Sequence, residues 1–384
     1  MTPLLTFGQM LSVHARLRPD APGARDLSRA MTFAAWNRRA CRFANAILGL
    51  GLAKGDRVAV LAYNRVEWLE IYAGAAKAGV VVVPINFRLL AADIGFILEN
   101  SGARALVVQD ALLGPVEEIG AALPIAPEMI VHLGDGEPPA GLRRYEALLQ
   151  AASEEEPGVA VGPQDPWVLM YTSGTTGRPK GALRSHGSQA LLAFVSLLDK
   201  GLGVEDRCLL VMPLCHANSL NFFSTLGYAG AECCVYDRRS FDPEHLLQVM
   251  AATGTRFTSL VPTHYIMMLG LPAATKARHD VSAVRKLLIS SAPARKDTKL
   301  AIMEFFRNSE LYELYGSTEQ GWVTLLRPAE QLTKLGSVGR EYSGSGPVKL
   351  LDEAGNEVPD GEVGELFSRT PWCFEGYWNL PEKT

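Results

Sequence analysis

The residues best suited to binding a phosphate chain lie together between Tyr171 and Gly181, in the order YTSGTTGRPKG. They follow a short apolar run at 168–171 that is typical of a strand. Glycines let the backbone approach a ligand closely, consecutive N–H groups bind anions, and hydroxyls donate further hydrogen bonds. The segment therefore predicts a polyphosphate-binding loop made of Thr172, Ser173, Gly174, Thr175, Thr176, Gly177 and Lys180.

The spacing in this loop differs from that of a Walker A motif. That motif reads GxxxxGK followed by Ser or Thr, whereas here Pro179 precedes Lys180 and Gly181 follows it. The loop spacing therefore excludes a P-loop kinase or ATPase. Taken alone, the segment is also compatible with a surface loop rich in Ser, Thr and Gly.

Further segments carry a resemblance to one family. They are AAKAGVVVVPIN at 75–86, MPLCH at 212–216, LYGSTE at 314–319, and a glycine motif that begins at 364–366 and continues with GYWN at 376–379. Together with the loop at 171–181, and in the same order, they resemble the motifs of the adenylate-forming superfamily. That family includes acyl-CoA synthetases, luciferases and peptide-synthetase adenylation domains.

The resemblance implies how ATP would bind. The loop and Lys180 would hold the β- and γ-phosphates, Thr318 would contact the α-phosphate, and Glu319 would bind Mg²⁺, a cation that prefers oxygen ligands. Tyr315 would lie against adenine, and Glu313 would accept a hydrogen bond from its amino group. The implied nucleotide-binding set also includes Ser291, Ala292, Pro293, Leu314 and Gly316, and the implied catalytic set is Thr175, Lys180, Thr318 and Glu319.

The resemblance also implies an acid-binding pocket beside the phosphates, lined by His216, Asn218 and Ser291. Judged from its neighbours alone, His216 is more typical of a packed or capping residue. Residues 214–219 contain no carboxylate to pair with the ammonium of an amino acid. Because an unpaired buried ammonium is costly, we expect a carboxylic acid without an α-amino group.

Alternating helix and strand signals predict an α/β fold of two doubly wound, mostly parallel sheets with flanking helices. We expect a large adenylation domain over 1–335, with two α/β subdomains connected near 134–166, where Gly, Pro and Glu are frequent. Residues 336–384 predict a small antiparallel β-unit, with strands near Val348–Asp352 and Glu362–Ser368. The family's small C-terminal catalytic domain, which carries a lysine for the α-phosphate, has no counterpart within the 384 residues.

Composition favours a cytoplasmic protein that binds small molecules. The chain has 37 Lys and Arg against 41 Asp and Glu, so its net charge of −4 argues against a nucleic-acid partner. Its six cysteines show neither disulfide nor zinc spacing. We found no apolar run of membrane-spanning length and no signal peptide. The sequence is compatible with a homodimer.

These observations predict an ATP-dependent, AMP-forming acid–thiol ligase that activates a carboxylic acid and transfers it to coenzyme A. Apolar stretches at 221–223 and 265–268 favour a fatty or alicyclic acid. The alternatives are an aryl-acid CoA ligase and a non-catalytic ATP- or AMP-binding module. Since the small domain is not among these residues, we expect the 384-residue chain to turn over poorly; robust pyrophosphate release would contradict this.

Overall fold

A computed structural model describes residues 5–172 and 178–384. The helices are α1 (Phe7–Leu17), α2 (Phe33–Gly49), α3 (Glu67–Ala78), α4 (Ala91–Ser101), α5 (Leu113–Ile119), α6 (Tyr145–Ala151), α7 (His186–Lys200), α8 (Ala217–Ala229), α9 (Pro243–Thr253), α10 (Pro262–Leu269), α11 (Ala273–Lys276) and α12 (Lys296–Phe305). None of the described helices combines the length and apolar character that crossing a bilayer requires.

The strands are β1 (Pro22–Arg25), β2 (Ala30–Thr32), β3 (Arg57–Leu61), β4 (Val81–Pro84), β5 (Ala105–Gln109), β6 (Ile130–Leu133), β7 (Arg143–Arg144), β8 (Pro166–Thr172), β9 (Lys180–Ser185), β10 (Cys208–Leu210), β11 (Cys233–Val235), β12 (Phe257–Leu260), β13 (Lys286–Ile289), β14 (Glu310–Ser317), β15 (Gly321–Leu326), β16 (Arg340–Glu341), β17 (Lys349–Leu351), β18 (Glu365–Phe367) and β19 (Gly376–Tyr377). The predicted α/β class is confirmed.

One sheet has eight strands in the order β19-β9-β8-β4-β3-β5-β6-β7. Its pairs from β8 to β7 are parallel, and β9 and β19 extend it antiparallel. Apolar runs form its central strands because helices cover both faces; Val58–Leu61 in β3 is fully buried. This sheet positions the phosphate loop, which joins β8 to β9.

A second sheet has nine strands in the order β16-β15-β14-β13-β12-β10-β11-β1-β2. Its centre, from β14 to β1, is parallel. Residues 286–313 run from β13 through α12 into β14, and β13 ends at Ile289 opposite Glu313, whereas β14 continues to Ser317. This register places the segment after β13 next to the end of β14.

The carboxyl ends of the two sheets face each other across a crevice. Asn64, after β3, donates a hydrogen bond to the Met212 carbonyl at 3.0 Å and accepts one from the Leu214 N–H at 2.8 Å. Loops at the carboxyl ends of parallel strands are where α/β sheets bind ligands. The crevice is therefore where the predicted site residues can meet.

One region differs in detail from the expectation, and another agrees with it. Residues 134–166 are not wholly irregular, because they contain helix α6, whose Tyr145 and Leu149 are buried. Near the C-terminal end, β17 and β18 form a separate two-stranded antiparallel sheet, as the hairpin pattern predicts.

Candidate active site

The end of β8 contacts the loop after β14. The Thr172 hydroxyl donates to Glu319 Oε1 at 3.2 Å, although the two residues are far apart in sequence. Lys180 begins β9, opposite Thr172 in the register of the two strands. The predicted residues Ser173, Gly174, Thr175, Thr176 and Gly177 lie outside the described residues. The two ends of the loop thus lie beside the predicted magnesium ligand.

Tyr377 joins this group, although its place in the GYWN motif did not predict a role for it. Its hydroxyl donates to Glu319 Oε1 at 2.8 Å. Its ring lies under Lys180, with Nζ 4.5 Å from the ring centroid. Burial and the Glu319 carboxylate raise the pKa of Tyr377 to about 12, so the hydroxyl stays protonated and remains a donor. Tyr377 therefore bridges the predicted phosphate-binding lysine and the predicted metal ligand.

Arg184 holds the loop after β14 in place from the protein interior. The side chain is fully buried in β9, and it donates to the Thr318 carbonyl at 2.8 Å and to the Trp372 carbonyl at 2.7 Å. Its Nε also points to Gln189 Oε1 at 3.3 Å. Burial lowers the pKa of Arg184 to about 10, which leaves the guanidinium charged at neutral pH. Sequence reasoning missed this residue because nothing in its neighbours marks an arginine as buried.

The predicted adenine-contacting residues lie on an accessible face at the ends of β13 and β14. Ser291, Ala292 and Pro293 are exposed, and Tyr315 is 41% exposed, unusual for a large aromatic residue near a core. Ser291 adopts a positive φ of 67°, a conformation rare outside glycine and frequent at binding sites. An exposed ring next to exposed backbone provides a surface on which a nucleobase can stack.

Glu313 lies behind that face. Its carboxylate is buried, forms a short ion pair with Lys299 of α12, and accepts a hydrogen bond from the Ala294 N–H at 3.3 Å. Leu314 next to it is also buried. Gly316 follows a register shift in β14, and a Cβ there would lie 2.2 Å from the Gly321 carbonyl oxygen. Both carboxylate oxygens of Glu313 are thus already engaged, and its contact with adenine stays a prediction.

His216 and Asn218 lie at the start of α8, in the wall of a cavity of about 340 Å³. Ser291, Gly316 and Thr318 also line this cavity. Burial lowers the pKa of His216, and the Arg88 guanidinium lowers it further, so the imidazole is neutral at pH 7. The structure therefore brings the predicted acid-binding residues together with the predicted α-phosphate contact.

A second cavity, of about 450 Å³, approaches the same residues from the side of β4 and α4. It shares His216 and Thr318 with the first, and Thr172 and Cys215 also line it. Burial raises the pKa of the Cys215 thiol to about 12, so this cysteine does not supply a thiolate at neutral pH. Two separate approaches therefore lead to one point beside His216 and Thr318.

The carboxylate of Glu319 suits a magnesium ion that arrives with a nucleotide. Within 5–172 and 178–384, no three His, Cys, Asp or Glu side chains form a metal-binding group. Mg²⁺ keeps several waters and is usually held by one or two carboxylates together with substrate phosphates. A single carboxylate next to Thr172 and Lys180 fits that pattern, whereas it does not fit a metal held by protein side chains alone.

Replacing Tyr377 by phenylalanine removes the hydroxyl and keeps the ring under Lys180. We expect affinity for ATP in the presence of Mg²⁺ to fall about 3- to 10-fold, because Glu319 loses a hydrogen bond worth about 1 kcal/mol. Titration calorimetry measures the change. The matched control is Tyr312→Phe, which removes a tyrosine–carboxylate bond to Glu310 away from the site. Equal ATP affinity in Tyr377→Phe and wild type would contradict the bridging role.

Comparison with known proteins extends over almost the whole chain. A feruloyl-CoA synthase of Amycolatopsis sp is 34% identical over 373 residues, which cover 96% of this chain and 71% of that protein. A long-chain-fatty-acid–CoA ligase of Mycobacterium tuberculosis is 31% identical over 387 residues, covering 98% of this chain and 72% of that protein.

Solved structures agree with the sequence relatives. The inhibitor-bound N-terminal domain of FACL13 from Mycobacterium tuberculosis matches with a TM-score of 0.87 at 29% identity, covering 99% of this chain and 93% of that one. The sequence profile of the AMP-binding enzymes matches residues 11–378. With that match over most of its length, and with relatives above 30% identity, the chain belongs to the AMP-binding enzyme family.

Proposed function

We propose that this chain provides the ATP- and acid-binding part of an AMP-forming acid–CoA ligase. In the first step a carboxylate oxygen bonds to the α-phosphorus of ATP, and the bond to the bridging oxygen breaks to release pyrophosphate. In the second step the sulfur of coenzyme A, deprotonated to the thiolate, bonds to the acyl carbon, the bond from that carbon to the phosphate oxygen breaks, and AMP leaves. The observation that carries the proposal is the meeting of Thr172, Lys180 and Glu319 next to Thr318, which lines the His216 cavity.

Charge neutralisation is the main task in the first step. The phosphates would be bound by residues 172–177 and Lys180, with Thr318 at the α-phosphate. When bound, Mg²⁺ would offset charge on the phosphate oxygens, with Glu319 as its protein ligand. The attacking carboxylate, with a pKa of about 4, is already ionised at neutral pH and needs no general base. A neutral His216 fits this chemistry, because it can line the pocket without removing a proton.

The second cavity supports a separate route for the thiol. It reaches His216 and Thr318 from the β4 side, whereas the acid would occupy the cavity lined by Asn218. A thiol entering there would approach the acyl carbon from a different direction than the adenylate. This arrangement favours transfer to an external thiol over an internal cysteine such as Cys215.

The shape of the acid pocket favours the aryl-acid alternative over a fatty acid. The apolar stretches that suggested a fatty acid do not line the described walls of either cavity. Phe222 and Phe223 lie in one hydrophobic core, Tyr265 and Met268 lie in another, and Ile266 is exposed. Trp322 lies in the cavity wall and packs against Phe222, which fits a compact acid better than a long chain.

Substituting Lys180 by methionine tests the phosphate site. We expect ATP affinity of the full gene product to fall about 10- to 100-fold, since a hydrogen bond to a charged group contributes about 1.5–3 kcal/mol. Calorimetric titration measures affinity, and pyrophosphate release with a panel of carboxylic acids measures turnover. Lys349→Met, which breaks an exposed ion pair with Glu357, is the matched control.

The outcomes separate the competing functions. Unchanged ATP affinity in Lys180→Met would contradict the proposed phosphate site. ATP binding without pyrophosphate release for any acid would support the non-catalytic nucleotide-binding module instead. Activation of amino acids in preference to simple acids would contradict the interpretation of the His216 pocket.

A further inference from the structure

A lysine side chain is buried behind the wall of the His216 cavity. Lys200 ends α7 and is 1% exposed. Its Nζ lies 4.8 Å from the ring centroid of Tyr342, 5.5 Å from that of Phe222 and 5.9 Å from that of Trp322. This arrangement, hereafter the Lys200 cage, places three aromatic rings around one ammonium, and aromatic rings attract a cation.

Among the described residues, no carboxylate pairs with the ammonium of Lys200. Its hydrogen bond goes to Ser196 Oγ, at 3.5 Å. The neighbouring Asp199 carboxylate is engaged by Arg327 at 3.1 Å and by the Ser343 N–H at 2.9 Å. A buried ammonium without a counter-ion costs stability, and an apolar side chain of similar length would avoid that cost. A charge that the fold alone does not need points to a role in function.

Trp322 connects the Lys200 cage to the cavity. It lines the cavity together with Thr318. Its N–H donates at 2.6 Å to Ser196 Oγ, the same oxygen that accepts from Lys200. Its ring stacks on Phe222, with centroids 5.2 Å apart and planes at 28°. Lys200 therefore contacts the indole in two ways, directly at the ring and indirectly through Ser196.

We propose that Lys200 is a positioning residue for the acid: its ammonium holds the Trp322 indole in place as part of the wall of the His216 cavity. The inference rests on the proposed function, because it takes that cavity as the acyl site. It goes further in assigning a role to a residue that lies behind the cavity wall and outside every sequence motif. The acid is then bound most tightly while Lys200 is protonated.

The charge of Lys200 changes in a pH range where its neighbours keep theirs. Burial lowers the pKa of Lys200 to about 7, with an opposing effect of Asp199 and a further lowering by Arg327. The titratable or charged groups around it are Asp199 of α7, Tyr312 of β14, Arg327 after β15, Tyr342 after β16 and, on the cavity side, His216. Burial raises the pKa of both tyrosines and lowers that of His216 from its usual 6.5. The carboxylate and the guanidinium pair with each other.

Lys200→Met removes the charge and keeps a side chain of similar length. With the full gene product at about pH 6, we expect KM for the acid to rise about 5- to 20-fold and kcat to change less than about twofold. The acid is the most active of octanoic, benzoic and cinnamic acids, assayed by pyrophosphate release with ATP, Mg²⁺ and coenzyme A. At about pH 8.5 the ratio of the two KM values should fall towards 1, because wild-type Lys200 is then neutral as well.

Stability should change in the opposite direction to acid binding. At about pH 6 we expect a higher urea midpoint for Lys200→Met than for wild type, since a buried charge without a counter-ion is removed. Between about pH 7 and 10.5 the unfolded chain binds more protons than the folded wild type, so wild-type stability rises with pH and the difference shrinks. A residue with only a structural role would lose stability and acid binding together.

Lys77→Met is the matched control. The Lys77 side chain is 2% exposed, but it forms an ion pair with Glu156 at 2.8 Å. Its replacement should therefore lower the urea midpoint, because it leaves a carboxylate without its partner. KM for the acid should stay at the wild-type value, since Lys77 lies in α3 and does not line the cavity.

Should Lys200→Met fail to fold, Ser196→Ala removes the oxygen that Lys200 and Trp322 share, and it should raise KM for the acid about 2- to 5-fold. A wild-type KM in both variants, or a KM ratio that is the same at the two pH values, would overturn the inference alone. Intact ATP binding with no pyrophosphate release by the wild type for any of the three acids would overturn the proposed function and the inference together.

Discussion

Replacing Arg184 by methionine is expected to lower the free energy of unfolding by about 2–6 kcal/mol, about 1–3 kcal/mol for each buried carbonyl left without a donor, and to abolish measurable ATP binding. The guanidinium ties β9 to the Thr318 and Trp372 carbonyls within the protein interior. Methionine fills similar volume but donates no hydrogen bond, so two buried carbonyls lose their partner. Thr318 is the predicted α-phosphate contact, and Trp372 precedes the segment that carries Tyr377. Both sides of the phosphate site would therefore loosen together.

Urea unfolding and calorimetric titration with ATP measure the two effects. Arg184→Lys keeps a positive charge but cannot form the same fork of donors, so we expect it to recover only part of the stability. Arg278→Met removes a guanidinium that is 62% exposed and paired with Glu244, and it should change stability by less than about 1 kcal/mol. Wild-type stability in Arg184→Met would show that the carbonyls find other partners, contrary to this account.

The fold was predictable to a large extent because its signals are local. Apolar runs between glycine-rich turns identify strands buried on both faces, and the apolar run at 168–171 falls within β8 (Pro166–Thr172). Helix α6 was not expected, since its short sequence lies in a polar stretch and its burial depends on packing against α2. The pairing order of the strands was not predicted either, because it depends on contacts between distant residues.

The site was predictable only at the motif residues that are proposed to bind ligand. The sequence patterns indicate Thr172, Lys180 and Glu319, and the structure brings these three together. Arg184 and Tyr377 act through other residues. The Thr318 carbonyl that Arg184 bonds lies more than a hundred positions away in the sequence, and the Glu319 carboxylate that Tyr377 bonds lies about sixty positions away. No periodicity or spacing rule links residues at such separations, so only the three-dimensional structure reveals these contacts.

The second large loss of stability and ATP binding is expected on breaking the buried ion pair between Lys299 and Glu313. Lys299 lies in the first turn of α12 and Glu313 in the middle of β14, and both side chains are almost fully buried. Glu313 also holds the Ala294 N–H, so the pair fixes the segment 291–294 that would carry adenine. Removing one partner of a buried pair leaves an uncompensated charge and typically costs about 3–5 kcal/mol.

We therefore expect Lys299→Met to destabilise the protein by about 3–5 kcal/mol and to weaken ATP binding at least tenfold, about the same as Glu313→Gln. The double variant Lys299→Met with Glu313→Gln removes both charges of this pair, and the amide oxygen of residue 313 can still accept from the Ala294 N–H. Its stability should return to within about 1–2 kcal/mol of wild type, a coupling that identifies the pair as one unit.

Urea unfolding of the four proteins gives the coupling, and calorimetry gives ATP affinity. If the two single losses simply added in the double variant, the pair would not act as a unit. If stability recovered while ATP affinity did not, the charge of Glu313 itself would be needed at the adenine, which is the contact that the sequence motif predicts.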